Sequence, residues 1–168
     1  MGFETTTLDM DKTGHVTKTA PYDHVTEDML KEALPSFTGI IQQKPPLYSA
    51  LKRGGKKLYE SAREGATEED VKIEAREVET YHLELLDTTE QRFKLDVECG
   101  GGFYVRSLIR DIGYTVGSVA TMTALERTKQ GQFTIDDCLW KDDWTPDNIF
   151  AAIDKINAVR QKENHLAQ

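Results

Sequence analysis

The sequence predicts an α+β domain, and three features of the chain carry that prediction. In RFKLDVEC, residues 92–99, Phe93, Leu95, Val97 and Cys99 lie on one face and Lys94, Asp96 and Glu98 on the other, as in a half-buried antiparallel strand. The preceding VKIEAREVETYHLELLD has the length and alternation for one bent strand or two short ones, and the polar DTTEQ between the runs marks a hairpin. Apolar residues recur at helical spacing on both sides of that hairpin.

Taken in order, Thr26 is placed to cap a helix whose first turn holds Glu27 and Asp28, where the helix dipole favours carboxylates. Met29, Leu30, Ala33 and Leu34 form its buried side, and Pro35 ends it. FTGIIQQKPPLYSALKRGGKKLYESAREG then opens extended, because Pro45 and Pro46 forbid helix. It closes as a short helix with Leu58 and Ala62 on one face and Gly65 at the left-handed cap. ATEED reads as a polar turn before the hairpin. After it, GGGFYVRSLIRDIG is expected to stay extended through Arg106, so that Tyr104 and Arg106 share one strand face. A helix is expected from Ser107, with Leu108, Ile109, Ile112 and Val116 as its stripe and Gly117 at its end. A short helix follows at 121–127; then Thr145 and Pro146 start a last one, striped by Ile149, Phe150, Ile153 and Ile156, that dissolves into the polar tail RQKENHLAQ.

At 168 residues the chain has the size of one domain, able to bury roughly 70% of its unfolded surface. Its 38% hydrophobic and 30% charged residues are ordinary for a globular protein, and no stretch nears the length of a bilayer-spanning helix. The N-terminus lacks the basic start and apolar run of a secretory signal, which favours an intracellular setting. MGFETT fits the myristoylation pattern, but no polybasic run supplies the second membrane signal, so no membrane partner is expected. Cys99 and Cys138 have neither zinc-site spacing nor enough company for a disulfide framework, and His15, His24, His82 and His165 are scattered. A metal site is not expected.

A net charge of −8 argues against a polyanionic partner unless the charges segregate, and they do. From Gln42 to Arg63 the cations Lys44, Lys52, Arg53, Lys56, Lys57 and Arg63 face one acid, Glu60, a balance of +5. Tyr48 and Tyr59 lie among them, so the segment offers cations and ring faces to RNA, although the solvated side of a short helix would look the same. The glycine triplet lacks the Gly-Lys-Ser/Thr ending of a phosphate loop, and no nucleophile elbow accompanies it as an oxyanion loop would require. Two readings stay open there: backbone that delivers Tyr104 and Arg106 to one face, or a glycine bulge ending a strand. The carboxylate pairs Glu68–Glu69 and Asp142–Asp143 read as turn or cap acids.

Three stretches in order, FTGIIQQKPPLYSALKRGGKKLYESAREG, VECGGGFYVRSLIRDIG and TALERTKQGQFTI, resemble the TruB family of tRNA pseudouridine synthases in its eukaryotic form. GFETTTLDMDKTG is similar to a further segment of that family, so the resemblance covers the chain to about Leu139. It implies a mixed, largely antiparallel sheet flanked by helices, in which residues 1–143 form the C-terminal part of the catalytic domain and 144–168 its terminal helix and tail. It also implies a reaction in which uracil is detached from ribose, rotated and rejoined through carbon, with a flipped-out nucleotide, one essential Asp and no cofactor. The T arm of tRNA is the implied partner, and other RNA a further one. Tyr104 would pack on the target base, Arg106 would pair with the catalytic Asp, and Leu125 would wall the pocket. Lys44, Tyr48, Ser49 and Lys52 match the family's Gln-x-Pro-Pro-x-Tyr-Ser-Ala-x-Lys segment and would shape the pocket and, with Arg53, Lys56, Lys57 and Arg63, the RNA-binding rim.

One departure stands out. The family's Gly-x-Leu-Asp-Pro motif has no match here, and Asp9 falls in a later segment, so it is not the nucleophile. The chain is therefore expected to be a fragment or a shortened protein, inactive alone, in which a buried Arg106 without its carboxylate would open locally or hydrate. Two alternatives remain: a non-catalytic RNA-binding or RNA-chaperone module on the same fold, and a plain interaction domain that binds no RNA.

Overall fold

The computed structural model describes residues 1–5, 15–89 and 91–166, and Asp9 lies outside them. The α+β class holds, and every described strand pair is antiparallel. The chain divides into two compact units, Met1–Ala124 and Leu125–Gln168.

In the first unit β1 (Phe3–Thr5) pairs with β2 (Val16–Thr19). α1 (Glu27–Ala33) starts as its sequence requires: the Thr26 hydroxyl accepts from the Met29 amide at 3.2 Å, satisfying one of the helix's orphan donors. Pro35 then tightens the chain into a 3₁₀ turn, Leu34–Phe37. β3 (Gly39–Gln43) is followed by a tight two-stranded ribbon, β4 (Lys52–Arg53) with β5 (Lys56–Lys57), and by α2 (Leu58–Arg63), which buries Leu58 and Ala62. The expected polar turn ATEED instead contributes to a one-turn helix, α3 (Glu68–Val71), because Thr67 and Asp70 close a reciprocal capping box on it.

β6 (Arg76–Thr89) and β7 (Arg92–Cys99) form the hairpin, with β6 one long strand whose register shifts twice. Asp87, Thr88 and Thr89, expected in the connection, belong to the strand: they pair with Lys94, Phe93 and Arg92. The sheet order is β3-β6-β7. α4 (Val105–Thr115) lies with α1 on the apolar face of this sheet, where Leu30, Ala33, Leu34, Leu108, Ile112 and Val116 form the core. Leu108 and Ile112 are fully buried, each contributing roughly 1.5–3 kcal/mol. Gly113 lets α4 approach the chain returning through Ala120.

In the second unit β8 (Lys129–Gln130) pairs with β9 (Phe133–Thr134), and α5 (Pro146–Leu166) starts at Thr145, whose hydroxyl accepts from the Asn148 amide at 3.3 Å. Two expectations fail. Residues 121–127 are not helical, and α5 continues through Leu166 where a polar tail was expected, since polar residues without Gly or Pro do not stop a helix. Among the described residues no helix is long and apolar enough to cross a membrane.

Candidate nucleic-acid interface

The expected strand through Arg106 gives way to helix two residues early: Tyr104 is extended, with φ −113° and ψ 103°, and α4 begins at Val105. Tyr104 and Arg106 are therefore presented by a helix start rather than by one strand face. The reason lies across the fold. Gln43, at the end of β3 and 2% exposed, accepts from the Tyr104 amide at 2.8 Å and donates to the Tyr104 carbonyl at 3.1 Å. A primary amide supplies both roles at once, so it caps an end that has no side-chain cap of its own.

Further bonds hold the segment after Gln43 across this helix start. Ser107 Oγ donates to the Lys44 carbonyl at 2.9 Å, and Arg110, itself bonded through Nε to Asp111 at 2.8 Å, reaches the same carbonyl at 3.4 Å. Both Nη atoms of Arg106 donate to the Tyr48 carbonyl at 3.3 Å. Pro45 and Pro46, within this segment, are fully buried. Arg106 is half-buried and hydrogen-bonded, so the local opening expected of an unpaired charge is not required.

The glycine triplet earns its place through Gly102, whose φ of +81° other residues rarely adopt. Arg76 Nη2 donates to the Gly102 carbonyl at 3.5 Å, and the guanidinium lies 5.6 Å from the centre of the Tyr104 ring. Arg76 Nε is buried without a hydrogen-bond partner. Below it, a cavity of about 340 Å³ is lined by Lys52, Arg53, Ile73 and Arg76 among others.

The basic segment forms the β4–β5 ribbon and α2. Tyr59 is its aromatic centre: Lys57 Nζ lies 5.3 Å from the ring centre and donates to the hydroxyl at 3.2 Å, and Arg63 lies 5.2 Å from the same ring. That hydrogen bond raises the Lys57 ammonium pKa. The local excess of positive charge is answered by acids further along the chain: Lys44 pairs with Glu68 at 2.7 Å, Arg53 with Glu74 at 3.6 Å, and Lys56 with Glu64. Lys52 is exposed.

Ser49 does not reach a rim. It is 4% exposed, its hydroxyl has no partner, and its carbonyl accepts from the Tyr59 amide at 3.1 Å, fastening α2. Leu125 is 53% exposed and opens the second unit. Thus Lys44, Tyr48, Tyr104 and Arg106 come together, while Lys52, Arg53, Lys56, Lys57 and Arg63 gather on the ribbon and α2. Gln43, Arg76, Ser107 and Arg110 complete the arrangement without having been singled out. Among the described residues no cluster of His, Cys, Asp and Glu could hold a metal ion.

The model of the TruB family pseudouridylate synthase N-terminal domain matches residues 1–105. Human pseudouridylate synthase TRUB1 is 43% identical over 95% of this chain and 45% of its own length. The chain belongs to the TruB family. The mouse TRUB1 protein, 43% identical over 97% of the chain and 47% of its own, and tRNA pseudouridine synthase B of Phocaeicola vulgatus, 39% over 83% and 57%, are further TruB relatives. The chain thus spans about half the length of the curated relatives it matches. A chain from the crystal structure of a Cbf5-Nop10-Gar1 complex superimposes with a TM-score of 0.56 at 29% identity, covering 73% of this chain and 31% of its own.

Proposed function

We propose that this chain contributes the RNA-facing part of an intracellular tRNA pseudouridine synthase, one that converts the T-loop uridine to pseudouridine. The observation that carries it is the clamped start of α4: Tyr104, fixed by Gln43 and flanked by Arg76, beside Arg106, fixed on the Tyr48 carbonyl. A half-buried tyrosine held on both backbone atoms suits the stacking of an extruded base, because its position costs little further ordering. Arg106 is the group to meet the carboxylate of the nucleophilic Asp, a fork matching a fork. Tyr59, with Lys57 and Arg63 against its ring, suits contact with the T arm.

The activity reading is tested with T-arm hairpin RNA labelled with tritium at uracil C5, since isomerisation releases that label. A version extended upstream by the Gly-x-Leu-Asp-Pro segment is expected to release tritium, and Arg106→Ala in it to lower the rate at least a hundredfold, a loss of about 2.7 kcal/mol of transition-state stabilisation. If the extended protein binds the hairpin but releases nothing, the synthase reading fails and a non-catalytic RNA-binding or RNA-chaperone module takes its place.

A further inference from the structure

Gln43 and Arg76 are cross-strand partners in the β3–β6 ladder, so their side chains leave the sheet on the same face, and both reach Tyr104. Gln43 holds its backbone, and the Arg76 guanidinium lies 5.6 Å from its ring centre. A guanidinium has five N–H donors. Among the described residues this one makes a single hydrogen bond, from Nη2 to the Gly102 carbonyl at 3.5 Å, and no ion pair. Its Nε is buried without a partner. A buried donor left unpaired is costly enough to call for an explanation, and an oxygen of a ligand supplies one.

The cavity of about 340 Å³ that Arg76 lines has two further cations, Lys52 and Arg53, one carboxylate, Glu74, and the buried Leu58 and Ile73 as apolar wall. Glu74 pairs with Arg53 at 3.6 Å, and Arg53 also donates to the Lys72 carbonyl. Among the described residues Lys52 and Arg76 have no acid against them, which sets them apart from Lys44, Arg53 and Lys56. Two uncompensated cations beside apolar walls select a compact anion, and a guanidinium whose fork is unused matches the paired oxygens of a phosphate. A base stacked on Tyr104 carries a phosphate on each side of its ribose, so RNA backbone is the anion nearest to hand. Every residue of the site lies between Gln43 and Tyr104.

We infer that this cavity is a phosphate subsite, in which Arg76, assisted by Lys52, receives a backbone phosphate flanking the nucleotide stacked on Tyr104. Arg76 then joins the ring that holds the base to the backbone that carries it. The inference rests on the RNA reading proposed above and assigns one phosphate of that RNA to one residue.

The experiment is fluorescence anisotropy of this chain with T-arm hairpins in which the phosphates around the target uridine are replaced, one at a time, by uncharged methylphosphonate. Because the charge is removed from the RNA itself, the scan separates backbone from a free phosphate ion. For the wild type, one position is expected to weaken binding about tenfold. Arg76→Gln should weaken binding of the unmodified hairpin about tenfold and abolish the effect of that position, so that both changes together cost about tenfold rather than a hundredfold. Arg76→Lys, which keeps the charge without the fork, should lose part of that sensitivity. Losses that add at every position mean that Arg76 acts only by supporting Tyr104, and they overturn the inference; so does a wild type indifferent to every methylphosphonate. Circular dichroism checks each variant's fold; if Arg76→Gln does not fold, Arg76→Lys decides, and undiminished sensitivity in it overturns the inference. A wild type that does not bind the hairpin overturns the RNA reading as well, whereas binding without coupling to Arg76 overturns the subsite alone.

Discussion

Tyr104 enters α4 with a backbone N–H that no helical carbonyl can reach, and Gln43 accepts it from 61 residues away. The Tyr104 carbonyl also takes the Leu108 amide at 3.1 Å, so the amide is the atom that depends on Gln43. Removing the acceptor leaves that donor in a part-buried place where water replaces the bond poorly, at a cost of about 1–3 kcal/mol. For a chain of this size Gln43→Leu should therefore lower Tm by roughly 2–10 °C, read by circular dichroism. An unchanged Tm would mean that the helix start is held by its other bonds to Lys44 and Tyr48. The same substitution should weaken T-arm binding, because the tyrosine proposed to stack on the base loses its fixed place.

At the level of elements, α4 is held at both ends: Gln43 fastens its start, and Gly113 lets its last turn lie against the segment through Ala120. A Cβ at Gly113 would meet the Ala120 amide nitrogen at 2.6 Å and its Cβ at 2.9 Å, and backbone cannot swing aside as a side-chain tip can. Gly113→Ala is expected to cost about 1–3 kcal/mol, visible as a lower urea midpoint with an unchanged slope. Elements with a strong local period were legible in the sequence: the caps of α1 and α5, the alternation of β7, the stripe of α4 and the Leu58–Ala62 face of α2. What pattern did not reveal was set by tertiary partners. The earlier start of α4 follows the Gln43 clamp, which a lone polar residue at a strand end does not announce. Thr88 and Thr89 are drawn into β6 by their partners Phe93 and Arg92, and Arg76 reads as one alternating polar residue until the sheet sets it beside Tyr104.

Over the whole molecule, the charge distribution would set how strongly this chain meets the RNA proposed as its partner. The run from Gln42 to Arg63 carries a balance of +5, but the fold sets Glu64, Glu68 and Glu74 against Lys56, Lys44 and Arg53. These pairs are solvent-exposed to a third or more of each side chain, so each contributes little to stability, typically less than about 1 kcal/mol. Their larger effect is on the field: each carboxylate offsets a cation that would otherwise neutralise a phosphate. Replacing Glu64, Glu68 and Glu74 together by Gln should leave Tm nearly unchanged and raise T-arm affinity. The dependence of log K on log salt should steepen by up to about 0.7–0.9 for each phosphate newly engaged. Fluorescence anisotropy of a labelled hairpin between 50 and 200 mM salt, about the range over which such contacts are lost, reads both quantities. If affinity and salt slope both stay at their wild-type values, the ribbon and α2 do not face RNA. The tyrosine–arginine pair at the start of α4 would then have to hold the RNA by stacking, with little help from charge.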